Sequence, residues 1–470
     1  MMKMDKNSMI LAVLIMIQPI LDICSYFASQ IEMTGITSVL RLAIFAAIMV
    51  YAFILSDHKK IYGIFAGVLG VYWIIHMVIC ARDGYALVSD VNGFLRTVQM
   101  PALTLAFITL FKRSEKFPQE VGKYWAINYL TIAASILLSF ALGMPESTYQ
   151  SGLGVKGWFM TGNSQSYIIA VMAMLAMYYF YNKKNNIAFL LTMVVAFVQM
   201  FLFGTLVTLY SIFITAGVFL VIMLWNREKR WIMAGGLILA IVVTLLALPY
   251  SPSRQQGANE DQALSRWEDM LEEQEKDPDQ TPEEEIHNLD ETILKPLVDR
   301  FGYDKVLEVY GGSIEAEELM DSRQRKVNFG RLVMAEQDIW VWLFGFEDAD
   351  MLYGDETYDP ENDFPAIFFF YGIVGILLYV VFLVYFAVIL CKDIFKNLKK
   401  LPVEKVILGL SLIFSMGCAE LSANVLRRPN ASFFISLMLA YVYYLCKVQK
   451  ERDYESESDH PGVQRPGLSA

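Results

Sequence analysis

Long apolar runs separated by short polar segments make up most of the chain. A helix that crosses the roughly 30 Å hydrocarbon core of a bilayer needs about 20 apolar residues, and about twelve runs reach that length. We predict transmembrane helices at 9–28, 36–55, 61–80, 93–111, 122–143, 164–181, 187–203, 206–225, 231–248, 364–390, 402–421 and 431–446. The seventh and eighth share FLFGTLVTLY, which fits a tight helical hairpin or a re-entrant break. The pattern predicts an all-α, polytopic integral membrane protein.

One long polar segment divides the predicted helices into two groups. Residues 1–249 carry the first nine helices and residues 363–447 the last three, while residues 448–470 form a polar tail that we expect to be disordered. Residues 250–362 hold 30 Asp and Glu against 10 Lys and Arg, a balance of −20 that exceeds the −11 of the whole chain. The rest of the chain is therefore net basic. A loop of this length usually has structure or a task of its own.

Helix signals occur inside this acidic segment. Thr281, Pro282 and Glu284 form a helix start with a capping box, and Gly302 provides a stop. We predict a second helix from about Ile314, leading into DIWVWLFGF, whose tryptophans favour the membrane surface. We interpret 258–291 as a solvated, helical cap, because a calcium-binding D-x-D-x-D-G loop is missing from it.

Composition supports a membrane protein and excludes several other classes. The chain is 56% hydrophobic and 14% aromatic, with a mean hydropathy of +0.42, which is too apolar for an ordinary soluble protein. The cysteines lie in or beside apolar runs and form no CxxC pair, so we interpret them as packing residues: Cys24, Cys80, Cys391, Cys418 and Cys446. We expect no metal, no other cofactor and no nucleic-acid partner.

The distribution of cations among the short loops predicts the orientation in the membrane. Cytoplasmic loops are enriched in Lys and Arg. The basic loops DHKK, KRSEKFPQEVGK, YNKKNN, NREKR and KDIFKNLKK alternate with cation-poor loops such as SQIEMTG and RDGYALVSD. We therefore predict a multi-pass protein of the cytoplasmic membrane, with both termini in the cytoplasm and residues 250–362 outside.

Five ionisable residues interrupt the predicted helices, and all five lie in the outer half of their helix: Asp22, Arg41, His76, Arg96 and Glu420. A charge in the bilayer costs several kcal/mol and tends to face a cavity or a partner, so we predict one polar chamber at the outer leaflet. Each residue has an alternative interpretation. Arg41 and Arg96 would reach the headgroups, Asp22 and Glu420 would pair with those arginines, and His76 would be a hydrogen-bonded packing residue.

The stretch DSRQRKVNFGR gathers four cations within the acidic segment: Arg323, Arg325, Lys326 and Arg331. Cations beside a wet chamber at the outer leaflet suit a lipid-linked phosphate, since arginine binds phosphate oxygens through two parallel hydrogen bonds. The alternative is local neutralisation of the neighbouring glutamates. We place Arg323 first among the candidate phosphate ligands.

Five stretches resemble the superfamily of bacterial O-antigen ligases and polysaccharide repeat-unit polymerases. They are FLRTVQMPALTLAF (94–107), KGWFMTGNS (156–164), FGTLVTLYS (203–211), DSRQR followed by WLFGF, and ENDFPAIFFFYGIVGILLY (361–379). The resemblance implies transfer of a glycan from undecaprenyl pyrophosphate to an acceptor sugar hydroxyl, without a metal. It also implies contact with membrane lipid, and we leave open whether a chain-length regulator is a partner.

The same resemblance implies roles for particular residues. Arg323 matches the loop arginine of the family, with Arg331 as a second candidate, Glu361 and Asp363 match an acidic E-x-D, and Asn163 matches a G-N step. Two positions depart from the family. Leu206 stands where relatives often have a lysine, and GCAEL lacks a histidine that relatives often carry. Ligases in the family also tend to depend on a loop histidine, and the sole histidine of the acidic segment, His287, sits among surface acids. The resemblance therefore favours a polymerase over a ligase.

A mechanism follows from these candidates. The arginines would neutralise the pyrophosphate leaving group, and Glu361 or Asp363 would act as general base, unless ENDF serves only to cap the next helix. Two other classes remain open. A lipid-linked sugar flippase would have internal repeats and polar residues at the midplane, and a scaffold would bind a partner through the acidic segment.

Overall fold

The computed structural model describes residues 4–33, 35–82, 85–274, 294–312, 314, 318–319, 321–354 and 356–452. Before the acidic segment the helices are α1 (Lys6–Gln30), α2 (Gly35–Leu55), α3 (Lys59–Cys80), α4 (Leu87–Arg113), α5 (Phe117–Ala141), α6 (Gly162–Asn182), α7 (Asn186–Phe203), α8 (Leu206–Trp225) and α9 (Trp231–Ala247). Those within it are α10 (Pro252–Gln274), α11 (Leu294–Phe301), α12 (Tyr303–Val309), α13 (Ser322–Ala335) and α14 (Ile339–Phe344). The last three are α15 (Asp363–Lys396), α16 (Val403–Leu421) and α17 (Pro429–Tyr443), which continues as a π-helix over Tyr444–Val448.

Ten helices within the described ranges are long and apolar enough to cross a membrane. Each predicted apolar run lies on one of α1–α9 or α15–α17, and α6 and α16 are the two of these helices that are not among the ten. Residues 164–178 of α6 are all buried, so this helix contacts protein on every side and needs no lipid-facing surface. The prediction of an all-α, polytopic membrane protein is confirmed.

The shared stretch between α7 and α8 is a tight helical hairpin. Gly204 ends α7 in a left-handed conformation with φ of 78°, and the Thr205 side chain accepts a hydrogen bond from Thr208 N at 3.2 Å to begin α8. A Cβ at position 204 would overlap the ring of Pro252, which begins α10. Glycine is therefore required both by the turn and by the close approach of the next segment.

The described part of the acidic segment is largely helical. Helix α10 covers the beginning of the predicted cap, and α11 ends at Phe301 directly before Gly302, as the stop signal predicts; the predicted start at Thr281 lies outside the described residues. Part of the stretch in which the second helix is predicted to begin, near Ile314, lies outside the described residues, but residues 318 and 319 are helical. Helix α13 begins at Ser322, where Asp321 accepts hydrogen bonds from the backbone of Arg323 and Gln324. A short antiparallel pair, β1 (Leu352–Tyr353) and β2 (Glu356–Thr357), joins Leu352 to Thr357 and Tyr353 to Glu356.

Helix α15 is broken inside the membrane-spanning region. Gly372 has φ of 61° and ψ of −169°, which interrupts the helix between Tyr371 and the following turn. Helix α14 packs against the break so closely that a Cβ at Gly372 would overlap the Leu343 carbonyl, and a Cβ at Gly345 would overlap that of Phe370. Irregular backbone within a membrane is tolerated only where protein covers it, and α14 supplies that cover.

The connections fall at two opposite ends of the helical bundle. At one end, Tyr26 of α1 donates a hydrogen bond to Glu146 at 3.2 Å, and the acidic segment packs on the same end through Phe344. At the other end lie the basic connections, where Trp225 Nε1 donates to Leu398 O at 2.8 Å and Arg452 to Lys112 O at 2.6 Å. The loops predicted to be outside thus share one end.

Candidate functional site

A small cavity lies at the end of the bundle that carries the acidic segment. We call it the arginine cavity, and its lining consists of Gly93, Arg96, Asp348, Asp359, Phe370, Tyr371, Asn424, Arg427 and Arg428. Its volume of about 40 Å³ is several times the space that one water needs. Four parts of the fold therefore meet there: the beginning of α4, the end of the acidic segment, the broken start of α15 and the loop between α16 and α17.

Arg427 is the best-anchored cation of the cavity, with only 10% of its side chain exposed. Its guanidinium donates to Asp359 Oδ1 at 3.0 Å, to Pro360 O at 2.6 Å, to Asn424 Oδ1 at 2.9 Å and to Asp363 Oδ1 at 3.3 Å. Burial opposes its charge, but the two carboxylates outweigh burial and raise the pKa of Arg427. Because these acceptors occupy the guanidinium, Arg427 holds the loop in place.

Asp363 binds the backbone of the same loop. Its Oδ2 accepts hydrogen bonds from Val425 N at 2.6 Å and Leu426 N at 2.7 Å, and its Oδ1 accepts from Arg427 N at 3.2 Å. The side chain is completely buried. Both carboxylate oxygens accept hydrogen bonds from the loop, so Asp363 holds the loop before α17 against the start of α15.

Arg96 and Arg428 also line the cavity and, unlike Arg427, form no ion pair with a described residue. Both are exposed, and neither guanidinium makes a hydrogen bond or ion pair with a described residue. Displacement of water by the surrounding protein and the nearby charge of Arg96 lower the pKa of Arg428. Two like charges held near each other, neither of them engaged in an ion pair with a described residue, favour the binding of an anion.

Glu361 forms a cluster next to the cavity. Its carboxylate accepts hydrogen bonds from Asn163 Nδ2 at 3.0 Å, Lys326 Nζ at 3.2 Å and Arg323 Nε at 3.4 Å. Burial alone would raise the pKa of Glu361, but Lys326 and Arg323 outweigh burial and hold the pKa below its ordinary value. The structure thus brings together three candidates from distant parts of the sequence and adds Lys326 to them.

The other cations of α13 point elsewhere. Arg325 donates to Leu319 O at 3.1 Å, and Arg331 donates to Asn328 Oδ1 at 3.0 Å. Neither residue lines the arginine cavity. Helical periodicity explains why Arg323 and Lys326 reach Glu361 while Arg325 does not, because positions 323 and 326 lie on the same face of α13.

Arg41 and Asp22 lie in a separate polar cluster within the helices. Arg41 donates to Asp22 Oδ1 at 2.7 Å and to Gln18 Oε1 at 3.3 Å. Arg41, Gln18, Gln99 and Pro429 line a second cavity of about 20 Å³. The start of α17 therefore has the arginine cavity on one side and this ion pair on the other.

His76 and Glu420 lie outside both cavities. His76 is fully buried, with Nε2 2.9 Å from Asp90 Oδ1 and Nδ1 2.8 Å from Phe344 O, so it connects α3 to α4 and α14. Glu420 is exposed near the end of α16. The single chamber predicted for the five ionisable residues is thus divided, and only Arg96 of the five lines the arginine cavity.

Four residues of the cavity were not predicted from the sequence: Arg427, Arg428, Asp348 and Asp359. One signal for the arginines was present: consecutive cations in LRRPN stand in a connection that the alternation of loops places outside, against the usual charge bias. Asp348 and Asp359 carry no comparable signal, because the segment is rich in acidic residues throughout. Within the described part of the chain, His, Cys, Asp and Glu form no group of three or more that could hold a metal ion.

A comparison with protein-family models agrees with this architecture. A comparison with curated proteins found no match. The family model described as O-antigen ligase like membrane protein matches residues 4–451, which is nearly the whole chain. The chain therefore belongs to the O-antigen ligase-like membrane proteins, a family of membrane enzymes with glycosyltransferase-type activity in surface polysaccharide assembly.

Proposed function

We propose that the protein polymerises or transfers oligosaccharide repeat units carried on undecaprenyl pyrophosphate, at the outer face of the cytoplasmic membrane. The observation that carries this proposal is that two guanidiniums, those of Arg96 and Arg428, line a cavity at one end of the bundle and form no ion pair with a described residue. A pyrophosphate is a natural ligand for such a pair, because guanidinium binds phosphate oxygens in bidentate fashion. Helix α17 begins directly after Arg428, and its positive end adds to the attraction.

The proposed transfer needs little besides positioning and charge stabilisation. Pyrophosphate is a good leaving group, and cations beside it stabilise the charge that develops on it. Arg96 and Arg428 rank ahead of Arg323 as its ligands, because Arg323 shares its charge with Glu361. Arg323, Lys326 and Asn163 then hold Glu361 ionised beside the cavity, where it is suited to accept hydrogen bonds from sugar hydroxyls. The resemblance implies that the reaction uses no metal.

Two departures from the family favour a polymerase over a ligase-type transfer to another acceptor. Leu206 begins α8 in the place of a lysine, and GCAEL carries no histidine; His287 in the acidic segment lies outside the described residues. A flippase for lipid-linked sugars is the other alternative, but an arginine cavity at one end of the bundle favours chemistry at one membrane face. We propose that this end faces outward, with both termini in the cytoplasm, and that a chain-length regulator is a candidate partner.

Deletion of the gene and complementation with single variants test the proposal. Arg96→Gln and Arg428→Gln remove the charges of the cavity, and Arg266→Gln removes an exposed charge on α10 as a matched control. We expect both cavity variants to fail to restore long surface polysaccharide, with single lipid-linked repeat units accumulating outside, while Arg266→Gln restores the wild-type pattern. Arg323→Ala and Glu361→Gln test the neighbouring cluster in the same strain.

The location of the intermediate separates the alternatives. Accumulation of lipid-linked repeats inside the cell after deletion would indicate a flippase. Loss of attachment with normal chain length on the lipid carrier would indicate a ligase. Unchanged polysaccharide in the deletion strain would contradict every enzymatic alternative and favour a scaffold.

A further inference from the structure

Three of the four carboxylates that line or adjoin the arginine cavity accept hydrogen bonds from protein donors. Asp363 accepts three backbone N–H groups, Asp359 accepts from Arg427 at 3.0 Å, and Glu361 lies between two cations. A carboxylate that already accepts hydrogen bonds from the protein must give one up to take the proton of an acceptor hydroxyl. A carboxylate without such donors is therefore the better candidate for the general base of a transfer at this cavity.

Asp348 differs from these three. It begins the 3₁₀ turn Asp348–Met351 and lines the arginine cavity, and no hydrogen bond from a described residue reaches its carboxylate. Gly93 of α4 provides the space, since a Cβ there would lie 3.0 Å from Asp348 Oδ2. The turn is held in place because the preceding Glu347 accepts a hydrogen bond from Ala86 N at 2.7 Å, at the start of α4.

We propose that Asp348 is the general base that deprotonates the acceptor hydroxyl. This inference rests on the proposed glycosyl transfer and adds to it the residue that receives the proton. It assigns catalysis to a residue outside the E-x-D of Glu361 and Asp363, whose oxygen atoms are occupied. Asp348 and the unpaired guanidiniums of Arg96 and Arg428 line the same cavity, so base and leaving-group site lie together.

The proposed step is a single displacement at the anomeric carbon. The acceptor oxygen forms a bond to that carbon while the bond from the carbon to the pyrophosphate oxygen breaks, and the electron pair of that bond leaves with the lipid pyrophosphate. The proton of the acceptor hydroxyl passes to the Asp348 carboxylate and later to water. The products are a new glycosidic bond and lipid pyrophosphate, so no oxidant, reductant or further reactant is needed.

The electrostatic environment supports this geometry. Burial, reinforced by the charge of Asp359, raises the pKa of Asp348 to about 6, and Arg427 opposes the shift. Asp90 also raises this pKa, while Arg96 lowers it. A base with a pKa near 6 is ionised at neutral pH and accepts a proton more readily than a carboxylate with an ordinary pKa.

The test uses full-length protein in lipid vesicles and, as donor, lipid-linked repeat units extracted from the deletion strain. We compare Asp348→Asn, which keeps the shape but cannot accept the proton, with Asp348→Glu and with the exposed control Asp261→Asn on α10. We expect Asp348→Asn to lower kcat by about 100-fold with a donor KM within about threefold of wild type. Asp348→Glu should recover part of the loss, and the control should match wild type.

The pH profile separates a catalytic from a structural role. Wild-type kcat/KM should rise with pH through a midpoint near 6. This rise, the acid limb of the pH profile, should be missing in Asp348→Asn. Retained activity within threefold of wild type in Asp348→Asn, or an unchanged acid limb, would overturn the inference while leaving the proposed transfer intact. Failure of wild-type protein to lengthen the extracted donor would instead contradict the proposed function and, with it, the role of Asp348.

Discussion

The hydroxyl of Tyr72 on α3 donates a hydrogen bond to the carbonyl oxygen of Tyr371 at 2.6 Å, where helix α15 is broken. The same hydroxyl lies 3.1 Å from Phe344 O at the end of α14. A carbonyl freed by a helix break needs a donor inside a membrane, and Tyr72 provides it. Because Phe370 and Tyr371 line the arginine cavity, this hydrogen bond stabilises one of its walls.

Removal of the Tyr72 hydroxyl should destabilise the protein. We expect Tyr72→Phe to lower the free energy of unfolding by about 1–3 kcal/mol, because it leaves a buried carbonyl without its donor. Thermal unfolding in detergent measures the effect. Tyr250→Phe is the matched control, since Tyr250 is 75% exposed, and equal melting temperatures for the two variants would show that the hydrogen bond contributes nothing.

The backbone contact between α14 and the break in α15 should tolerate no side chain. Gly345 has φ of 85° and Gly372 has φ of 61°, and each would direct a Cβ into the backbone of the other segment. We expect Gly345→Ala and Gly372→Ala each to cost at least about 1–3 kcal/mol, from left-handed strain alone. Gly217→Ala on α8 is the control, because nothing lies within 4 Å of its Cβ position. A melting temperature of either variant equal to that of the control would contradict the close packing.

Asp363 and Asp359 both pair with Arg427, but they differ in burial. Asp363 is fully buried, whereas 42% of the Asp359 side chain is exposed. We expect Asp363→Ala to cost about 3–5 kcal/mol, because it leaves a buried arginine and three backbone N–H groups without their acceptor. Asp359→Ala should cost about 0–1 kcal/mol, as for an exposed ion pair. Comparable losses of thermal stability in the two variants would argue against a structural role for Asp363.

The pKa of Asp348 predicts a pH dependence of stability. Folding raises this pKa from 3.8 to about 6, so the native state binds the proton more tightly than the unfolded state. The contribution of Asp348 to stability is therefore greatest below pH 3.8 and falls as the pH rises towards 6. Glu361 acts in the opposite sense, because its pKa is lowered and its contribution is lost as the pH falls.

Melting temperatures between pH 4 and pH 7 separate the two groups. The melting temperature of Asp348→Asn relative to wild type should increase as the pH rises through this window, because the variant cannot ionise. A difference that does not change with pH would show that the environment of Asp348 leaves its pKa unshifted.

Single cysteines test the proposed orientation. Ser265 is exposed on α10 and Lys400 is exposed in the basic connection between α15 and α16. In a protein whose native cysteines are replaced, an impermeant thiol reagent should label Ser265→Cys in intact cells and Lys400→Cys only after permeabilisation. The reverse pattern would place the arginine cavity on the cytoplasmic side.

The sequence alone determines the helical architecture, because helix formation in a membrane depends on local properties. A run of about 20 apolar residues can satisfy its own backbone hydrogen bonds whatever its neighbours are. The twelve runs therefore all lie on helices, and a local stop signal at Gly302 ends α11. The cap of α13 is local too, because Asp321 accepts hydrogen bonds from backbone N–H groups two and three residues further on.

Only the tertiary structure decided which charges meet. Asp363 binds a loop 62 to 64 residues further along the chain, and Asn163 reaches Glu361 across 198 residues. Such pairs depend on how helices pack, which no local pattern encodes. For the same reason the five ionisable residues that were predicted to share a depth in the membrane separate into different clusters, while Arg428 and Asp348 join Arg96. Depth in the membrane follows from the sequence, but the position of a side chain around the bundle follows from packing.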